Sequence, residues 1–200
     1  IKKFGFGQKT GVALPGEAVG QFKELAAWDE RSLASISFGH EISATPLQMI
    51  NAVSAIANGG TLMVPRVTRA IIKNGRVTKR FKSKSVRRVI STQTSRQVIE
   101  ILKHAVKNGT GGKAAIKGYE VAGKTGTAQN PHGEDHSIFI AFAPKEDPKI
   151  AIAVYVENGG WGSTWASPIA SLMIDKYINK KTSRISLENF IINGNLIINK

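Results

Sequence analysis

The chain has 200 residues, 42% of them hydrophobic, a net charge of +14 and no cysteine. That apolar content is enough to bury one globular core, and the missing thiols exclude disulfides and cysteine catalysis. No apolar run reaches membrane-spanning length, and no segment shows the charged, apolar and small-residue succession of a secretory signal.

Residues 1–44 are rich in glycine and short apolar pieces. Thr45-Pro46-Leu47-Gln48 then opens a helix: Thr45 suits the N-cap, Pro46 the first helical position, and Gln48 completes a capping box. Leu47, Ile50, Val53 and Ile56-Ala57 give it an apolar face, and Asn58-Gly59-Gly60 supplies a left-handed stop. Residues 66–73 and 76–82 flank Asn74-Gly75, a strong hairpin signal. Between Arg66 and Arg88 lie ten basic residues (Arg66, Arg69, Lys73, Arg76, Lys79, Arg80, Lys82, Lys84, Arg87, Arg88) and no acidic one. Such a block suits nucleic acid or an anionic membrane surface. Phe81 is its only aromatic, so it offers no base-stacking platform, and no nucleic-acid partner is expected.

A second helix is predicted over Thr94 to Lys107, with Val98, Ile101, Leu102, Ala105 and Val106 inward and Asn108-Gly109 ending it. After the glycine-rich Gly109-Thr110-Gly111-Gly112 come three strand-like runs, 119–129, 136–143 and 149–158. The last two are nearly continuous apolar segments, as in strands buried on both faces, and the short Lys145–Lys149 link makes them antiparallel. A third helix follows over 166–180. Beyond Lys181 the composition shifts to asparagine, serine and isoleucine, leaving 1–181 as the domain and 182–200 as a tail of unknown role. Helices, three sequential strands and a covering helix predict an α+β or α/β sandwich.

The first strand carries the chemistry. Lys124 can hold a carboxylate or assist a proton transfer, Thr125 and Thr127 can donate hydrogen bonds, and Gly126 lets another backbone approach closely. Strand alternation puts Thr125 and Thr127 on one face and Lys124 and Gly126 on the other. Taken alone, lysine and glycine here equally describe an edge strand protected against aggregation. His132, Glu134, Asp135 and His136 have metal-ligand types, but their polar loop reads as a solvated turn and no metal is expected. Ser137, Ser163, Thr164, Ser167 and Ser171 have no lysine at catalytic spacing, so none is expected to be a nucleophile. Trp161 and Trp165 read either as a lip beside a groove or, the preferred reading, as anchors of their loop to the core.

Lys124-Thr-Gly-Thr127 on the first of three meander strands, with a closing helix behind, resembles the transpeptidase domain of class B penicillin-binding proteins, especially the elongation type. The same resemblance runs through Phe4–Glu17, Ser37–Gln48, Ala55–Gly60, Val121–Gln129, Phe142-Ala-Pro144 and Val156–Gly160, covering nearly everything from Lys3 to about Tyr177. It implies a cofactor-free peptidoglycan D,D-transpeptidase that acylates a serine with a D-alanyl-D-alanine stem peptide and is blocked by β-lactam antibiotics. Lys124 would be catalytic, Thr125, Gly126 and Thr127 would bind substrate, and the Thr127 N–H would face the oxyanion. It further implies a membrane glycosyltransferase of the elongation machinery as partner. The location implied is the periplasmic face of the inner membrane, in the bacterial cell envelope, with an N-terminal anchor absent here. The chain departs from the family in having no Ser-x-x-Lys tetrapeptide, and no Ser-x-Asn motif upstream of Lys124. Tyr177-Ile178-Asn179 has a variant of the latter pattern but falls after the third motif and reads as helix surface. The expectation is therefore the C-terminal part of the domain, inactive by itself; the alternative is a truncated, catalytically inactive fragment. Without the missing part, strands 136–143 and 150–156 are expected to expose apolar surface.

Overall fold

Capping fixes where helix α2 begins. In the computed structural model, which describes residues 1–179, β1 (Gln21–Phe22), α1 (Ser32–Ser37) and β2 (Ile42–Ser43) precede α2 (Pro46–Ala57). The Thr45 hydroxyl accepts from the Gln48 N–H at 3.1 Å, and the Gln48 side-chain carbonyl accepts from the Thr45 N–H at 2.9 Å. This is the predicted reciprocal box. Gln48 does more than cap. Its side chain is buried, and its amide donates to the Gln8 and Val19 carbonyls at 2.9 Å each. One satisfied polar group in the core thus fastens the glycine-rich N-terminal segments onto the helix. At the other end Gly59 (φ 85°) and Gly60 (φ 104°) make the left-handed stop.

β3 (Thr61–Met63) pairs with the distant β6 (Ser85–Arg88), and between them β4 (Ala70–Lys73) and β5 (Arg76–Arg80) form the predicted hairpin. Asn74 (φ 51°) and Gly75 (φ 74°) take the positive angles that a two-residue type I′ turn demands. The strands are shorter than the 66–73 and 76–82 expected, and their register slips between Ile71 and Ile72. Helix α3 (Thr92–Lys107) starts two residues before the predicted Thr94, because Ser91 caps it, its hydroxyl accepting from the Thr94 N–H at 3.0 Å.

β7 (Ala122–Ala128), β8 (His136–Ala143) and β9 (Ile150–Val156) form the antiparallel meander, in the order β7-β8-β9, with α4 (Ala166–Asn179) behind it. The expected strand spans 119–129 and 149–158 shrink at both ends; 136–143 holds as predicted. On one face Phe139, Ala141 and Ile152 pack with Ala166, Ala170 and Ile174 of α4 and with Val106, Ala114 and Val121. On the other, Ala122 and Phe142 pack with Val53 of α2, joined by Ile99 and Leu102 of α3. The expectation of strands buried on both faces therefore holds only at the Ala122–Phe142 end. Toward Gly126 the helices fall short: Ile138 and Ile140 are half-buried and Tyr155 is exposed.

A charged knot ties α3 to the entrance of β7. Lys145, nearly buried, contacts Glu100 at 2.6 Å, Glu146 at 2.9 Å and Glu120 at 3.6 Å, while Lys103 meets Glu120 at 2.8 Å. The hydrogen bonds from Glu100 and Glu146 drive the Lys145 ammonium pKa upward, and the Lys103 hydrogen bond holds Glu120 below the usual carboxylate range. The predicted tail, 182–200, and the last residues of the 1–181 domain lie outside the described residues.

Candidate active site

Among the described residues no strand pairs with the outer side of β7, so that edge makes no ladder; α3 packs against its buried Ala122-Gly123 end, and exposure begins at Lys124. Lys124 lies opposite Ile140, Thr125 opposite Phe139, Gly126 opposite Ile138 and Thr127 opposite Ser137. Lys124 and Thr127 are exposed; Thr125 and Gly126 are half-buried. The tetrapeptide is thus neither inside the core nor under α4.

The ammonium does not stay on its own face. Lys124 Nζ donates to the Thr125 carbonyl at 2.8 Å and lies 3.3 Å from its hydroxyl. The Thr125 hydroxyl in turn lies 2.6 Å from that of Thr110. The alternation predicted lysine and threonine on opposite sides; instead the long lysine stem carries its charge to the threonine.

Sequence reasoning missed Thr110. Its loop closes back on α3, with the Gly111 N–H donating to the Ala105 carbonyl at 3.0 Å. Side chains at Gly109 and Gly111 would crowd that carbonyl, at 2.9 and 3.1 Å, so the two glycines let the loop fold where it does. A hydroxyl between glycines after a helix stop was the available signal, but nothing in the sequence linked it to a strand fifteen residues on.

The loop after β9 holds Thr127 from behind. The Gly162 N–H donates to the Thr127 hydroxyl at 3.4 Å, and the bare Gly162 Cα sits over the Gly126 and Ile138 carbonyls. The close backbone approach predicted at Gly126 exists, but the absent side chain of Gly162 permits it. A methyl on Gly126 would meet Ile138 Cβ at 3.4 Å, an ordinary contact. Ser137, fully buried, fastens the same loop: its hydroxyl donates to the Trp161 carbonyl at 3.0 Å and accepts from the Ala166 N–H at 3.1 Å. Trp161 stands 74% exposed, so the anchoring role preferred for it fails; Trp165 is half-buried.

His136 is not a loop residue but the first of β8. Its Nδ1 accepts from the Asn158 N–H at 3.1 Å, and its ring leans on Tyr155 with centroids 5.3 Å apart. Among the described residues no three His, Asp or Glu side chains are grouped to hold a metal ion. Tyr177 and Asn179 lie exposed on α4, far along the chain from β7.

Comparison with known proteins decides the family: "Penicillin binding protein transpeptidase domain" matches residues 1–175. The chain belongs to this family. Stage V sporulation protein D of Bacillus subtilis is 42% identical over 84% of the chain, which spans 28% of that protein. PbpB of Mycolicibacterium smegmatis is 35% identical over 88% of the chain, which spans 31% of the relative. For the peptidoglycan D,D-transpeptidase MrdA of Acinetobacter baumannii the identity is 32% over 98%, and the span 33%. The chain therefore covers about a third or less of these relatives. Penicillin binding protein 3 from Mycobacterium tuberculosis superposes with a TM-score of 0.77 at 32% identity, covering 90% of this chain and 45% of the other. It has also been solved complexed with aztreonam and with ampicillin. These matches bear out the α/β transpeptidase fold and the class B kinship.

Proposed function

We propose that the outer edge of β7 is the carboxylate-holding half of a serine D,D-transpeptidase site, and that residues 1–181 are the C-terminal part of the transpeptidase domain. In this reading the Thr125 and Thr127 hydroxyls bind the terminal carboxylate of a D-alanyl-D-alanine stem peptide. Lys124 supplies positive potential and supports proton transfer at the nucleophile. The unpaired backbone beside Gly126 takes the substrate as an added strand, and the Thr127 N–H meets the oxyanion of the tetrahedral intermediate. The observation that carries this is the convergence of one ammonium and the hydroxyls of Thr110 and Thr125 at a strand edge with no ladder partner, with Thr127 exposed two residues on.

The attacking serine is not among these 200 residues, which contain no Ser-x-x-Lys tetrapeptide. The acyl-enzyme forms on a serine supplied from outside them, and the chain alone makes no ester. The same groups would hold the carboxylate of a β-lactam. The site works on the periplasmic face of the inner membrane beside a glycosyltransferase that polymerises glycan.

Fluorescent penicillin tests the reading. This chain alone should take no covalent label, whereas the protein carrying both this chain and a Ser-x-x-Lys segment should. In that protein Thr125→Val or Thr127→Val removes a hydrogen bond to a charged group, worth about 1.5–3 kcal/mol, and should slow acylation roughly 10- to 100-fold. Labelling of the chain alone, or variants acylated at the unsubstituted rate, would overturn it.

A further inference from the structure

The β4–β5 hairpin takes no part in that site, and its surroundings are unusual. Every residue of β5 and three of the four in β4 are exposed, so no other element covers either face of the ribbon. Among the described residues, none of the ten cations between Arg66 and Arg88 pairs with a carboxylate. The register sorts its side chains, since cross-strand partners share a face. Ile72 pairs with Val77 and Ala70 with Arg80; Lys73 pairs with Arg76 and Ile71 with Lys79. One face is thus mainly aliphatic and the other mainly cationic. Ile72 is 65% exposed, with Val77 and the neighbouring Val67 also in water.

We infer that this ribbon docks turn-first on an anionic phospholipid bilayer, the aliphatic pair Ile72 and Val77 entering the interface beside the Asn74-Gly75 turn and the cations of both faces meeting lipid phosphates. Charge alone would suit any polyanion; the uncovered aliphatic face selects a surface with an apolar layer beneath the charge. Nucleic acid fits less well. The one aromatic of the segment, Phe81, lies under its own lysine, with Lys79 Nζ 5.0 Å from the ring centroid, and is only half-exposed, so it presents no free ring for a base. The ribbon lies apart from Lys124, and failure of this inference leaves the transpeptidase reading standing.

Vesicle binding by this chain is the test. It should sediment with vesicles of phosphatidylglycerol and phosphatidylcholine at 0.1 M salt, fail to do so with phosphatidylcholine alone, and come off as salt rises. Each cation near an anionic bilayer strengthens partition about fivefold. Replacing Lys73, Arg76, Lys79 and Arg80 together by glutamine should therefore weaken binding by roughly 600-fold. Because the chain has no cysteine, Val77→Cys also accepts a single environment-sensitive dye without removing charge. That dye should shift to the blue on phosphatidylglycerol vesicles, while one on Lys176→Cys of α4 should not. Three results would overturn the inference: unchanged binding after the four substitutions, an equal or larger shift from the α4 dye, or tighter binding to duplex DNA than to anionic vesicles at 0.15 M salt.

Discussion

Replacing Gly162 by alanine puts a methyl group 2.5 Å from the Gly126 carbonyl oxygen, 2.5 Å from the Ile138 carbonyl oxygen and 3.2 Å from the Gly126 nitrogen. Comfortable separations for such atoms are roughly 3.5 Å, so the loop must lift by about 1 Å. The two carbonyls belong to paired strands and cannot retreat without breaking the ladder. Lifting strains the Gly162 N–H bond to Thr127 and the Ser137 hydroxyl bond to the Trp161 carbonyl. Overpacking of this kind costs about 1–3 kcal/mol. In a domain of this size each kcal/mol moves the melting temperature by about 2–4 °C, which gives a fall of about 2–12 °C by scanning calorimetry. Gly133→Ala is the control, because its methyl meets nothing closer than 3.4 Å. A Gly162→Ala melt that coincides with that control would refute the idea that loop and β7 are locked backbone to backbone.

Gly126→Ala should behave in the opposite way. Its methyl is sterically tolerated, so the melting temperature should hold within about 2 °C, while affinity for an acyl-D-alanyl-D-alanine peptide falls at least fivefold as the methyl blocks the strand edge; a melt as low as that of Gly162→Ala would assign Gly126 to packing instead. Acid should weaken the fold. Glu17 is held below the usual carboxylate range chiefly by the Thr10 hydroxyl, Asp29 by the Arg31 N–H, Glu41 by Lys23 and Glu120 by Lys103. Depressed carboxylates stabilise above their unfolded pKa, near 4.5 for Glu and 3.8 for Asp, and lose that contribution as pH falls through the folded value. The melting temperature should therefore drop between about pH 5 and pH 3, and Glu120→Gln should flatten the drop; an unchanged slope would count against it. Alkali acts with the other sign of shift: burial, with the Asp175 carboxylate nearby, pushes the Tyr119 phenol up to about 12. Its stabilising share is full below its unfolded pKa of 10 and fades as pH rises toward 12, which phenolate absorbance can follow.

Local features were the legible ones. The Thr45–Gln48 box, the Asn74-Gly75 turn and the β8–β9 link each depend on residues a few positions apart, and each forms as read. The pairs β1–β2 and β3–β6 were invisible, since strands of two to four residues carry no period and their partners lie some twenty residues away. The site shows the same divide. Lys124, Thr125, Gly126 and Thr127 stood out by type and spacing, but Thr110 reaches Thr125 only because two glycines fold a loop back onto α3. Likewise, the bare backbone at Gly162 that packs over Gly126 went unread, because its position is set by a loop more than thirty residues away. Strand alternation gave the faces correctly for Cβ atoms and failed for the lysine head group, whose long stem escapes that rule.

Lys124, Thr125 and Thr127 are proposed to recognise a carboxylate at an open strand edge. The most direct measurement is an NMR titration of this chain with diacetyl-lysyl-D-alanyl-D-alanine beside the same peptide amidated at its C-terminus. The free acid should shift the amide signals of Lys124 to Thr127 and the methyl signals of Thr110, Thr125 and Thr127, and the amidated peptide should leave them in place. Equal shifts from both peptides, or shifts confined to other parts of the chain, would contradict carboxylate recognition at β7.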